Sequence, residues 1–321
     1  MHLCLHTMEV PHHDSFISDY NSRQTSNGNR RLLLRLFNES ESKFTQPFSL
    51  CVVAGKFDLH ETFEYLSRIG SRICFSRKYV VTPTPEEIFR PVFHNHPCCL
   101  GFGFDSKIKN FKVVMLIPYP AKAGFYSLAS GSWKRIHGED PLFDFCRERY
   151  AGPVNSMYLN GVLHWVVSQR ETSCNYILTF DVAEETFGEL MLPKSLNEPK
   201  YPVSFLGGGY SLAVVESDPQ SFSEQSFNIW VMKEYGVVDS WTKVFSCVSE
   251  SPGTGMNSNR ALGIRESGEM ILRNQSGELL SADPETRKEK KLGIKGYCFA
   301  FIDHHVESLY LLDRKTDVLS Y

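Results

Sequence analysis

From about residue 100 onward, short apolar runs are separated by clusters of Gly, Asn, Asp, Ser and Pro at spacings of about 8–12 residues. Examples are LGFGFD followed by NFKVVMLI, and later SMYLNGVLHWVV. Runs rich in Val, Ile, Leu and aromatic residues are typical of β-strands joined by tight turns, and helical periodicity is nearly absent. We therefore predict an all-β fold, with a short helix over residues 61–69 and a short turn or helix over 140–150 as the exceptions.

The strands repeat loosely along the chain. A glycine opens an apolar strand at Gly161, again at Gly208 and Gly209, and again at Gly268, with a step of roughly 50 residues. The second strands of these units are residues 177–180, 227–232 and 279–282. A third strand follows, carrying Phe187 in the first unit and Trp241 in the second. Units of three or four antiparallel strands at this step predict the blades of a β-propeller.

Trp230 and Trp241 lie in one run, NIWVMKEYGVVDSWTKVFSC, on either side of a turn over residues 234–239. The turn places them on adjacent strands of one blade. Bulky apolar side chains fill the space between propeller blades, and each indole buries on the order of 200 Å² there. We interpret both tryptophans as core residues and keep a binding role as the alternative.

The charge balance bears on the class of partner. The chain has 34 Lys and Arg residues against 37 Asp and Glu residues, with a formal net charge of −3. Nucleic-acid-binding domains are usually strongly basic, so we expect no nucleic acid partner. No apolar stretch reaches the length of about 18 residues that a membrane span needs. The nine cysteines follow no disulfide framework, which favours the cytoplasm or the nucleus.

Histidines and cysteines offer the possible metal ligands. The candidates are His12 with His13, His94 and His96 beside Cys98 and Cys99, and His304 with His305. Imidazole and thiolate suit zinc, and alternate residues of a strand share one face. Pro97 interrupts the second group, which favours a loop that enters a strand. We predict that His304 and His305 lie in a turn before the last strand, where they bond to backbone groups.

Other polar residues have structural interpretations. We predict tight packing for Gly207, Gly208 and Gly209, a solvated hairpin tip for Glu184 and Glu185, turn-forming roles for Asp181 and Asp283, and a satisfied core position for His164. A nucleotide-binding loop or a nucleophile elbow would need glycine-flanked motifs that the sequence lacks. The sequence thus predicts no catalytic, cofactor-binding or metal-binding residue, and the partner-binding residues stay unknown.

The strings YLNGVLHWVV, ILTFDVAEETFGELMLP, IWVMKEYGVVDSWTKVFSC, HHVESLYLL and GFGFDSKIKNFKVVMLI together resemble the F-box-associated domain of plant F-box proteins. The resemblance runs from about residue 30 to residue 313 and implies a kelch-like β-propeller, in agreement with the strand pattern. We expect a propeller domain over residues 30–321, preceded by a poorly ordered segment over 1–29.

The sequence departs from this family at two places. An F-box begins with Leu-Pro and ends near Cys-Lys-Ser-Trp, whereas here only residues 15–19, SFISD, resemble its tail. We expect the chain to begin just inside the last F-box helix. Residues 69–75 and 87–91 lack the family's Cys-Asn-Gly-Leu and Trp-Asn-Pro segments, which predicts an incomplete first blade.

In this family the propeller holds a target protein, and the F-box binds the adaptor of an SCF-type ubiquitin ligase. The resemblance therefore implies a substrate-recognition subunit and no enzyme, with target proteins and the SCF adaptor as partners and no cofactor. The alternatives are a truncated, degenerate member that acts as a decoy binder or has no function, and an enzyme on a propeller scaffold.

Overall fold

Nearly all of the structure that can be described is β-strand. The computed structural model describes residues 2–4, 31–35, 48–52, 58–63, 72–75, 78–81, 83, 99–118, 121–136, 143–145, 156–169, 172, 174–197, 203–206, 211–217, 225–249, 260–265, 267–274, 276–286, 288–295, 301–305 and 318–320. Its helices are α1 (Lys194–Asn197) and a 3₁₀ turn (Val238–Ser240). In the described part of the chain, no helix has the length and apolar character required to cross a membrane.

The strands, in chain order, are β1 (His2–Cys4), β2 (Arg31–Arg35), β3 (Phe48–Val52), β4 (Asp58–Phe63), β5 (Arg72–Phe75), β6 (Lys78–Val81), β7 (Cys99–Asp105), β8 (Asn110–Pro118), β9 (Ala121–Ser127), β10 (Ser132–Arg135), β11 (Phe143–Phe145), β12 (Ser156–Leu159), β13 (Val162–Gln169), β14 (Asn175–Asp181), β15 (Thr186–Leu190), β16 (Val203–Phe205), β17 (Ala213–Ser217), β18 (Gln225–Met232), β19 (Trp241–Ser249), β20 (Arg260–Ile264), β21 (Met270–Arg273), β22 (Glu278–Ala282), β23 (Glu289–Lys295), β24 (Phe301–His305) and β25 (Val318–Ser320).

Four antiparallel sheets follow one another along the chain as propeller blades. Blade I contains β7 to β10, blade II β11 to β15, blade III β16 to β19 and blade IV β20 to β23. In blades I, III and IV each strand pairs with the next one. In blade II, β12 pairs with the first half of β13 and β11 with its second half, so two short strands share one edge. These blades confirm the predicted all-β propeller.

The core lies between the flat faces of neighbouring blades. In β13, Leu163, Trp165 and Val167 pack against blade I, whereas Val166 packs against blade III. A strand buried on both faces shows a continuous apolar run instead of an apolar–polar alternation. This explains the nearly continuous apolar run VLHWVV, in which His164 is the one polar side chain and lies near Phe205 of blade III.

Two glycines allow blades I and II to approach closely. In GFGFD, Gly101 and Gly103 face blade II, while Phe102 and Phe104 lie on the other face and contact the ring of Phe111. A Cβ atom on Gly101 would lie 2.5 Å from the Trp165 ring. The motif thus places glycines, which have no side chain, on the face that meets blade II and large phenylalanine rings on the opposite face.

The two remaining sheets contain strands from both ends of the chain. The sheet β24-β2-β3-β4 joins a late strand to early ones, and β24 approaches β20 of blade IV. The sheet β1-β5-β6-β25 does the same, and β1 approaches β7 of blade I. Within the described residues, the predicted first-blade region supplies the hairpin of β5 and β6 to this sheet, and the terminal strands β1 and β25 flank that hairpin.

The prediction of helix is wrong for both segments, in the residues that the structure describes. Residues 61–63 belong to β4, which pairs with β3, and residues 143–145 form β11, which pairs with β13. Each segment is short, and pairing with a neighbouring strand overrides the weak local preference for helix.

We expect Gly103→Ala to destabilise the propeller. The new Cβ atom would lie 2.6 Å from Val182 Cγ2 and 2.9 Å from the Tyr158 ring. Forcing a methyl group into a packed interface costs about 1–3 kcal/mol in the free energy of unfolding, measured by urea denaturation. Gly188→Ala is the control, because its nearest neighbour is the rotatable Thr179 hydroxyl, at 2.9 Å. An equal loss in both variants would contradict the close-approach explanation.

Candidate protein-interaction face

Three connections meet at one end of blades I, II and III. They are residues 106–109 between β7 and β8, 182–185 between β14 and β15, and 233–240 between β18 and β19. Lys107 in the first forms an ion pair with Glu184 in the second. Partial burial, together with the nearby carboxylate of Asp181, raises the pKa of Tyr235 in the third. We call these three connections the turn face.

Aspartates close the turns in a repeated way. Asp181 Oδ1 accepts hydrogen bonds from the amides of Ala183 (2.9 Å) and Glu184 (2.8 Å). Asp283 does the same two and three residues on, which confirms both predicted turn formers. Asp105 closes the turn after β7 with the same pattern. We had not predicted this role, although an aspartate that directly follows an aromatic strand residue was its signal.

Lys112 is a buried cation between blades I and II. Its ammonium donates hydrogen bonds to Asp105 Oδ2 (2.7 Å), the Val182 carbonyl oxygen (2.8 Å) and Glu185 Oε1 (2.6 Å). The lysine and Asp105 are both almost fully buried, whereas Glu185 is exposed. A buried charge requires such partners to offset its lost hydration. Lys112 therefore attaches the 182–185 turn of blade II to blade I.

The 233–240 connection is held in one shape by its own polar groups. The single hydroxyl proton of Ser240 is shared between the carbonyl oxygens of Glu234 (Oγ···O 2.8 Å) and Val237 (2.7 Å), and Ser240 Oγ accepts a hydrogen bond from the Glu234 amide (3.1 Å). The Gly236 amide, at a φ of 84°, points to the Met232 sulfur at 3.2 Å. These bonds order the backbone and leave Tyr235, Val237 and Val238 exposed.

A buried histidine connects this loop to blade II. His164 is fully buried in β13, with Nδ1 3.1 Å from the Met157 carbonyl oxygen and Nε2 2.9 Å from the Tyr235 hydroxyl. Because a carbonyl oxygen only accepts, Nδ1 carries the proton and the tyrosine hydroxyl donates to Nε2. Burial lowers the pKa of His164 to about 4, so the ring is neutral at pH 7. The predicted satisfied core histidine is confirmed, and its link to an exposed loop is new.

The two tryptophans of blade III differ in burial. Trp241 is buried against blade II and donates from Nε1 to the Met191 carbonyl oxygen at 3.4 Å, as the core interpretation predicts. Trp230 is half-buried beside the same core and donates from Nε1 to Glu216 Oε2 at 3.1 Å. The Lys243 ammonium lies 5.3 Å from the centroid of its ring. Both therefore contribute to the packing between blades II and III.

The described residues contain no group of three or more His, Cys, Asp or Glu side chains positioned to hold a metal ion. His12, His13, His94, His96 and Cys98 lie outside the described residues, as do Gly207, Gly208 and Gly209. Cys99 is a buried thiol in β7.

The prediction of a turn at His304 and His305 is wrong. Both residues lie in β24, where they pair with Leu32 and Arg31. Glu184 and Glu185 do lie at a hairpin tip, as predicted, but they form ion pairs with Lys107 and Lys112 instead of being merely solvated.

We expect Lys112→Met to lower the free energy of unfolding by about 3–5 kcal/mol in urea denaturation, because it leaves a buried carboxylate without its cation. The control is the double variant Asp105→Asn/Lys112→Met. Asparagine keeps the Oδ1 acceptor for the amides of Lys107 and Ile108 and buries no charge. The double variant should recover part of the loss. If the double variant loses the sum of what Lys112→Met and Asp105→Asn each lose alone, the two side chains are not coupled.

His164 should make stability depend on pH. The His164 imidazole binds a proton below about pH 6.5 in the unfolded chain, but only below about pH 4 in the folded chain. The contribution of His164 to the free energy of unfolding is therefore fully present above pH 6.5, and roughly 3 kcal/mol of it is lost as the pH falls to 4. Glutamine does not titrate, so the free energy of unfolding of His164→Gln in urea should fall less between pH 7 and pH 4.5 than that of the wild type. Parallel losses in both proteins would rule out a depressed pKa.

Comparison with known proteins places this architecture in a family. Residues 85–313, more than half of the chain, match the model of the F-box associated beta propeller domain. F-box protein CPR1 of Arabidopsis thaliana is 26% identical over 241 residues, covering 68% of this chain and 57% of the relative. F-box protein At3g07870 of Arabidopsis thaliana is 25% identical over 250 residues, covering 64% and 57%. The chain thus spans little more than half the length of these relatives.

Among solved structures, an oligogalacturonate lyase from Vibrio parahaemolyticus is 8% identical, with a TM-score of 0.43 over 81% of this chain and 78% of that chain. A likeness this low carries no functional argument. The family match and the blades described above agree with each other and with the sequence motifs. The chain belongs to the F-box associated β-propeller domain family of plant F-box proteins.

Proposed function

We propose that this chain is the target-binding part of a substrate-recognition subunit of an SCF-type ubiquitin ligase. The observation that carries the proposal is the match to the F-box associated β-propeller over residues 85–313. The relatives named above are F-box proteins, and an F-box protein brings a target to the ligase, whose other subunits perform the ubiquitin transfer.

The geometry supports a role in binding. The turn face consists of short connections fixed by ion pairs and hydrogen bonds on rigid blades, and positioned loops on a rigid scaffold commonly carry binding sites. Ubiquitin ligases of this type act in the cytoplasm and the nucleus, and we assign the chain to these compartments. The buried thiol of Cys99 is compatible with either reducing environment.

Proximity labelling in plant cells tests this function. The chain is fused to a promiscuous biotin ligase and expressed with and without a proteasome inhibitor, and the enzyme fused to an unrelated propeller is the control. We expect specific labelling of the SCF adaptor and of at least one protein whose level rises with the inhibitor. Labelling of neither would contradict the proposal, and targets without the adaptor would favour the decoy-binder alternative.

A further inference from the structure

The exposed apolar side chains concentrate on the turn face. Within the described residues, the large apolar side chains that are exposed are Ile108, Met191, Tyr235, Val237, Val238 and Val244. Tyr235, Val237 and Val238 share the 233–240 loop, and Ile108 lies in the 106–109 turn. Single exposed apolar residues are normal on a soluble protein, whereas a cluster of them marks a contact surface. The cluster therefore singles out one end of blades I to III.

The loop that carries the cluster is already ordered. The hydrogen bonds of the Ser240 hydroxyl and the 3₁₀ turn fix the backbone of the loop, although its apolar side chains are not buried. Ordering a loop during association costs free energy, so a preformed loop binds more tightly than a flexible one. Tyrosine is among the residues that contribute most to protein–protein binding energy.

The contact between His164 and Tyr235 also indicates a positioning role. An apolar side chain would fill the core at position 164 without the desolvation that lowers the pKa of the imidazole. The imidazole instead accepts the Tyr235 hydroxyl proton across the boundary between blades II and III, and the two rings meet edge to face with centroids 5.7 Å apart. Its effect is to hold one edge of the tyrosine ring and leave the rest of the ring accessible.

The charges around the loop indicate the chemistry of the partner. Glu234 and Asp239 lie within the loop, and Asp181 is close enough to affect Tyr235, whereas Lys233 is the loop's one basic residue. The 106–109 turn of blade I carries Lys107, whose ammonium is paired with Glu184, and the exposed Lys109, while the buried Lys112 of β8 is paired with Glu185. The apolar side chains of the 233–240 loop therefore have a border of three acidic residues and one lysine, which complements a basic partner surface.

We propose that the 233–240 loop is the docking surface for the target protein, and that its occupant is a polypeptide segment with apolar side chains flanked by Lys or Arg. Tyr235, Val237 and Val238 would bury the apolar side chains of that segment, while Glu234, Asp239 and Asp181 would face its basic residues. This inference rests on the proposed function, since it assigns that function to one loop and one class of target segment.

Peptide selection tests this surface without knowledge of the target. A phage-displayed library of random peptides is selected on the whole wild-type chain, and the selected peptides are synthesised and titrated by fluorescence polarisation. We expect peptides that combine Leu, Ile, Phe or Val with Lys or Arg. Their Kd should rise at least about tenfold for the Val237→Asp/Val238→Asp variant, because charged side chains would replace the apolar contacts.

Val244→Asp is the matched control. Val244 is 45% exposed, close to the 40% of Val237, but it lies outside the loop, four residues beyond Ser240 in the edge strand β19. This variant should keep the wild-type Kd within about twofold. Circular dichroism melts of all variants establish that they are folded. Failure to select any peptide, selection of acidic peptides, or equal binding to the wild type and the double variant would overturn the proposal.

A second variant keeps the test decisive if the valine variant unfolds. Glu234→Lys/Asp239→Lys changes only exposed side chains and should weaken the binding of basic peptides and reduce its dependence on salt. Unchanged affinity would contradict the acidic border. Concentration-dependent dimers of the wild type that Val237→Asp/Val238→Asp abolishes, measured by sedimentation, would assign the surface to a second copy of the chain and overturn the proposed occupant.

The same valine variant separates this inference from the proposed function. When it is fused to the biotin ligase, it should lose the labelled targets and keep the labelled adaptor. Targets that persist in the variant would overturn the docking surface and leave the proposed function intact. If the wild-type chain itself labels neither a target nor the adaptor, the proposed function fails first.

Discussion

The close approach of the flat faces of blades I and II is the constraint on which the other features depend. Gly101 and Gly103 leave space that the side chains of Trp165 and Tyr158 occupy, so these rings from blade II lie directly against the backbone of β7 in blade I. At this short separation, the ammonium of Lys112 reaches the carbonyl oxygen of Val182 on the neighbouring blade. The position of the 182–185 turn follows from that contact, because Lys112 also binds Glu185.

Two buried polar side chains connect the core to the turn face. Lys112 and His164 both lie in interfaces between blades, where an apolar side chain would be buried at a smaller desolvation cost. Each forms a hydrogen bond to a residue in a turn of the neighbouring blade, Glu185 for Lys112 and Tyr235 for His164. A buried polar group contributes little net stability but is costly to leave without a partner, so it enforces one arrangement over the alternatives. Here the enforced arrangement is the relative position of three turns on successive blades.

This arrangement separates the packed scaffold from the turns at its edge. The blades supply a scaffold whose core lies between sheets, so the turns at the strand ends can vary without disturbing it. The 233–240 loop is ordered by its own serine and attached to blade II by one tyrosine.

The chain's local patterns were sufficient to predict strands, turns and propeller blades, because apolar runs, turn-forming aspartates and the glycine–phenylalanine alternation act over a few residues. Local patterns failed at residues 61–63 and 143–145, where pairing with β3 and β13 outweighs a weak helical preference. His164 was correctly predicted as a satisfied core residue, yet its partner Tyr235 is 71 residues away along the chain. Lys107 and Glu184 are separated by 77 residues. Which turns meet to form the turn face depends on how the blades stack in space, and no pattern within a single strand or turn contains that information.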